Sequence, residues 1–127
     1  MELDDYKEYA PVVLRIGVSL LMLWFGFTNI LSPNTLVGYL SPSFTNILPV
    51  SPLTFMIING IVEILFGLAL LLGCLTRTAA LLTSLHILGI AINLGYNDIA
   101  IRDYALAIAA FAVFLHGADK LCLYKKW

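Results

Sequence analysis

Four stretches of the chain are apolar for long enough to cross a bilayer, and polar or small residues interrupt each of them at helical spacing. They run approximately over residues 11–32, 53–75, 79–96 and 102–123. A spanning helix needs about 20 residues at ~1.5 Å each, so all four qualify. On the first, Arg15, Ser19, Met22, Gly26 and Asn29 share one stripe, and on the second Gly60, Glu63, Gly67 and Cys74 do, with Asn59 adjacent. The third carries Ala79, Thr83, His86, Ile90, Asn93 and Asn97, and the fourth Arg102, Ala105, Ala109, Ala112, His116 and Asp119. Small residues let backbones approach in lipid and polar ones must find partners there, so four such stripes imply one shared interior. The expected fold is an all-α membrane protein, a single-domain antiparallel four-helix transmembrane bundle.

The connections fit that expectation. Residues 33–52, PNTLVGYLSPSFTNILPVSP, contain four prolines and no charge, too broken for a spanning helix. They are expected to form a long outer loop whose Leu36, Val37, Tyr39, Leu40, Phe44, Ile47 and Leu48 either lie in the interface or fold over the bundle mouth. The turn Leu75-Thr76-Arg77-Thr78 is so short that the third helix should pack antiparallel beside the second. Pro11 suits a first helical turn, and Tyr6 and Tyr9 suit the interface just before it.

Composition excludes the soluble classes. The 127 residues are 61% hydrophobic and 12% charged, with mean hydropathy +0.94, against roughly half apolar and a quarter charged in soluble domains. A net charge of -1 offers no basic field to nucleic acid. The acidic start MELDD lacks the basic region of a signal peptide, so the first helix is expected to be retained. Lys7, Arg77, Lys120, Lys125 and Lys126, with Arg15 just inside, gather at one side, while the long loop has no cation and the 95–103 connection has only Arg102. The positive-inside rule then places both termini in the cytoplasm and the protein in the cell membrane. Cys74 and Cys122 fall at helix ends near one face without a CxxC pair, which argues against a thiol relay and for reduced thiols packed as small hydrophobes.

Candidate chemistry centres on Glu63, since a carboxyl at mid-bilayer is expensive and marks a functional position. Counted along the helices at ~1.5 Å per residue, Glu63 lies ~18 Å and Arg15 ~6 Å from the inner face, and their side chains lean apart. A direct Arg15–Glu63 pair is therefore not expected. Glu63 should find Asn59, Asn93, Asn29 or the Trp24 indole, held as the neutral acid or bridged through water. Arg15 should find Asp119, with His116 near the same inner mouth. His86 and His116 come out at similar depths, ~12 and ~9 Å, but helices in a short hairpin pack about 8–10 Å apart, too close for a haem between them. No metal site or intrinsic cofactor is expected. At the outer end Asn97 or Asp98 should cap the last helix, Asp98 should pair with Arg102, and Asp103 should favour the helix's positive first turn.

LRIG with Arg15 and Gly17, WFGFTNI with Gly26, and GIVEILFGLALLLGCLTRTAALL with Glu63, Gly67, Gly73, Thr76, Arg77, Ala79 and Ala80 also carry a resemblance. The chain resembles the DoxX/DoxD-like family of small four-helix membrane proteins, with RDYALAIAAFAVFLHGADK as a weaker echo; where relatives often have a lysine after the first helix's glycine, Asn29 stands here. The resemblance implies a membrane subunit associated with redox enzymes, since DoxD subunits of thiosulfate:quinone oxidoreductase pass electrons to a quinone. The leading expectation is an accessory subunit of a quinone-linked respiratory complex. A quinone or lipid pocket is expected around Glu63, Asn59, Trp24, Asn93, His86 and Asn29, with other membrane subunits or a second copy as partners. Two other classes stay open, a proton-coupled small transporter built on a lone buried glutamate and a structural or assembly partner with no ligand.

Overall fold

The computed structural model describes residues 3–38 and 40–124. Expectations resting on Tyr39, Lys125, Lys126 and the Leu36 side chain fall outside what it describes. After a 3-10 turn at Leu3–Tyr9 the elements are α1 (Ala10–Leu31), α2 (Pro33–Val37), α3 (Pro42–Ile47), α4 (Pro52–Leu72), α5 (Thr76–Leu94) and α6 (Asp98–His116), with no strand among the described residues. Four helices, those containing α1, α4, α5 and α6, are long and apolar enough to cross a membrane.

Local chemistry sets the boundaries. Pro11 enters the first turn of α1, and Pro33 stops it, because the residue before a proline is pushed out of the helical region. The Ser51 hydroxyl accepts the Thr54 N–H to cap α4, with Pro52 at the first position. Gly73 takes φ 74° and closes α4 three residues earlier than the apolar run suggests. The connection is therefore Gly73-Cys74-Leu75, with Leu75 itself at φ 50°, and α5 begins at Thr76 rather than residue 79. The fourth helix departs most from expectation. Asn97 accepts the Ala100 N–H and starts α6 at Asp98, and Gly117 at φ 81° ends it at His116 rather than 123. Residues 33–52 are not a plain loop, since two short helices, α2 and α3, lie within them.

Packing is strongest within two pairs, α1 with α4 and α5 with α6, and lighter between the pairs. The α1–α4 seam depends on glycine. A Cβ on Gly60 would lie 2.7 Å from the Gly26 carbonyl oxygen, and one on Gly26 would lie 2.8 Å from the Gly60 oxygen, so the two backbones touch. Further along, Gly67 packs against Leu23, and at the far end Arg15 meets Leu70 and Leu71. Contacts thus run in reverse order along α1 and α4. Between the pairs, Val18, Met22, Leu70, Ala80, Ile87 and Ala110 form part of one apolar core.

Candidate functional site

The Arg15 end of the bundle is closed by polar contacts. A helix leaves its last carbonyls without intrahelical donors, and in α4 each finds one. Cys74 N–H donates to the Ala69 oxygen and Gly73 N–H to Leu70. The Arg15 guanidinium donates to Leu70 at 2.6 Å and to Leu71 at 2.9 Å. Residues after α6 fold back so that Leu123 N–H reaches Leu72 and Tyr124 N–H reaches Gly73, each at 3.2 Å. The same guanidinium holds Asp119 through Nε at 2.7 Å and Nη2 at 3.3 Å. Burial alone would push the Asp119 carboxyl up, but the Arg15 and Leu121 N–H bonds and the Arg15 charge outweigh it and hold it below its ordinary range.

Arg15 therefore meets Asp119 and not Glu63. His116 does not join them: as the last residue of α6 it is exposed, its Nδ1 3.3 Å from the Gly117 oxygen. The expected similarity of depth with His86 fails because Gly117 ends the helix seven residues early. Cys74 and Cys122 are free thiols. Cys122 lies in the returning segment, its sulfur 3.3 Å from the Thr76 hydroxyl.

Glu63 occupies the other half, 2% exposed. Asn29 donates its amide N–H to Oε2 at 2.8 Å, Asn59 donates to Oε1 at 3.1 Å, and His86 Nε2 stands 3.4 Å from Oε1. Each position has a structural reason. The Gly26–Gly60 contact brings Asn29 of α1 within reach, and Asn59 lies one turn before Glu63 on α4. The His86 ring is set edge-on against Phe66 at 5.9 Å between centroids. The histidine contact accommodates a proton on either the imidazole or the carboxyl.

Two expected partners lie elsewhere. Asn93 turns its carbonyl oxygen to the Ser41 N–H at 3.1 Å and so anchors the start of α3. Trp24 is 70% exposed and stands at the rim of a cavity rather than at the carboxyl. That cavity, about 310 Å³, reaches Glu63 and Asn59 on α4, Asn29 on α1, and Arg102 and Asp103 on α6, with Phe25 and Phe55 among its apolar walls. A second, about 320 Å³, lies between α4 and α5 and is lined by His86, Asn93 and Phe44. Leu40, Phe55, Asn59, Ile90 and Leu94 line both. The 33–52 segment covers this end: Leu40 lines both cavities, and Phe44 stacks edge-on against Phe55 at 5.1 Å.

The outer cluster also differs from expectation. Arg102 pairs with Asp103 at 3.6 Å and lies 5.3 Å above the Phe25 ring, while Asp98 is exposed and makes no ion pair among the described residues. Asp103 is 6% exposed and faces the Glu63 cavity. The Asp98–Arg102 spacing is formally adequate, but the aromatic face of Phe25 and the neighbouring carboxylate draw the guanidinium toward α1. Sequence reasoning missed the cavity role of Asp103. Its only signal is the stripe Ala100, Asp103, Ala107, Ala110, Val113, which is the buried face of α6. No group of three or more metal-ligating side chains occurs among the described residues.

Searches of curated proteins and of solved structures return no match for this chain. A model of the DoxX family matches residues 10–96, the whole of α1 to α5, including Arg15, Asn29, Asn59, Glu63 and His86. With its four apolar helices and that match over more than half its length, the chain belongs to the DoxX family of small multi-pass membrane proteins.

Proposed function

We propose that this protein is an accessory subunit of a quinone-linked redox complex in the cell membrane, and that it holds the head group of a lipid-soluble quinone beside Glu63. The carrying observation is the roughly 310 Å³ cavity, with apolar and aromatic walls, a highly exposed Trp24 at its rim and a buried carboxyl at its back. Small-ligand sites are mostly apolar with a few placed polar groups, and one whose rim residue faces lipid suits a ligand arriving from the bilayer. With no redox centre of its own in this reading, the chain positions a cofactor for a catalytic partner. The helices alternate in direction, the Arg15 end faces the cytoplasm with both termini, and the cavity lies in the outer half. The test is isolation of the intact chain from native membranes in mild detergent. A redox subunit and extractable quinone should accompany it, and Glu63→Gln should keep the fold but lose the quinone. Recovery of the chain with neither would refute the reading.

The Glu63–His86 contact favours a second reading, because it joins a group lining one cavity to a group lining the other. A proton-coupled transporter would use such a pair to exchange a proton for its cargo. Proton-driven uptake in proteoliposomes, abolished by Glu63→Gln, would replace the first reading with this one.

A further inference from the structure

Residues 40–47, LSPSFTNI, carry no charge and build α3 from a local signal. The Ser41 hydroxyl accepts the Phe44 N–H, and Pro42 takes the first helical position. So short a helix is not stable by itself, and α3 buries none of its residues. Its neighbour α2 packs on both α1 and α4, whereas α3 has only sparse contact with any spanning helix. The Phe44 ring against Phe55 at 5.1 Å, and the Ser41 N–H donated to the Asn93 side chain at 3.1 Å, hold it down. Among the described residues the second of these is the one hydrogen bond between residues 40–47 and a spanning helix.

The same bond fixes the chain next to Leu40, whose side chain lines both cavities. Of the other residues that line both, Phe55 and Asn59 belong to α4 and Ile90 and Leu94 to α5. Leu40 is therefore the divider that can leave without moving a spanning helix. We propose that residues 40–47 are a lid over the Glu63 half of the bundle, latched by Asn93 and plugged by Leu40, whose opening joins the two cavities and admits the ligand. Segments with few buried contacts open first, and lids of this kind gate both entry and release. Asn93 lines the second cavity but not the Glu63 cavity, so it acts on the ligand through the lid. The lid stands on the packing alone, and only the choice of a quinone as probe rests on the reading above.

The test pairs hydrogen–deuterium exchange with stopped-flow entry and release of a short-chain ubiquinone, both on the full chain in one detergent. Removing one ordinary hydrogen bond enlarges an open population by about fivefold. Asn93→Ala should raise amide exchange in α3 by about that factor while α2 stays as it is. It should also speed quinone entry and release alike, leaving Kd unchanged, whereas loss of a ligand contact speeds release alone. Leu40→Ala should speed entry with α3 exchange unaltered, since the latch is intact. Asn93→Asp keeps an oxygen for the Ser41 N–H and should leave exchange and entry close to those of the unmodified protein. Unchanged α3 exchange in Asn93→Ala, or faster release with unchanged entry, overturns the proposal. Absence of quinone binding to the unmodified protein overturns the quinone reading instead, and the exchange result then decides the lid by itself.

Discussion

Replacing Arg15 by leucine tests the closure of the bundle end most directly. Arg15 is 2% exposed and makes four hydrogen bonds, two to Asp119 and one each to the Leu70 and Leu71 carbonyls. Leu70 keeps the Gly73 N–H, so among these groups the Leu71 oxygen and the Asp119 carboxylate lose most. Asp119 is only 5% exposed and retains the Leu121 backbone N–H as a donor. Removing one member of a buried ion pair costs about 3–5 kcal/mol, most of it the penalty of the charge left behind. For a chain of this length that corresponds to a fall on the order of 10 °C in Tm. The assay is thermal unfolding followed by circular dichroism in one detergent, with Arg15→Leu, Asp119→Leu and the double variant in a cycle. The double variant should lose clearly less than the sum of the singles, because neither charge is then stranded. A loss within about 1 kcal/mol for Arg15→Leu, or strict additivity, would refute the account, since exposed pairs behave that way.

The Asp119 carboxyl is held below its ordinary value of 3.8, so its contribution is present above that pH and is lost as the pH falls through the lower folded-state value. Tm in detergent should therefore drop below about pH 4, and Asp119→Asn should flatten that limb. Gly60→Ala should destabilise by roughly 1–3 kcal/mol through overpacking, because its Cβ would meet backbone at 2.7 Å. Gly89→Ala, with nothing within 4 Å, should stabilise by ~0.5–1 kcal/mol, and equal thermal shifts for the two would contradict the seam. Asn97→Ala removes the cap of α6 and should cost about 1 kcal/mol, read as a modest Tm loss in the same detergent. Gly117→Ala should cost more than Gly89→Ala gains. It combines a positive φ of 81° with a Cβ 2.5 Å from the Arg77 Nε, and denaturation in the same detergent measures it.

Periodicity made four helices and one polar interior legible. An uninterrupted apolar run in lipid has no lower-energy backbone than a helix, and Gly60, Glu63 and Gly67 recur where a helix places one face. Depth counting was equally informative where the helix ends were right: it separated Arg15 from Glu63 and paired Arg15 with Asp119. It failed for His116, because whether Gly117 continues a helix or adopts a positive φ depends on what packs against it. The chain after Gly117 folds back to satisfy the carbonyls of α4, a gain that no local pattern contains. Likewise Asn29, Asn59 and His86 each look able to reach many partners along the chain. Their convergence on Glu63 depends on the Gly26–Gly60 backbone contact and on α5 packing beside α4. Arg102 turns from Asp98 to Asp103 because the Phe25 ring of α1 lies there, a neighbour far away in sequence. The sequence by itself determined which residues must leave the lipid. Only the tertiary structure decided which of them meet, because backbone approach, helix termination and cavity shape depend on contacts between segments distant along the chain.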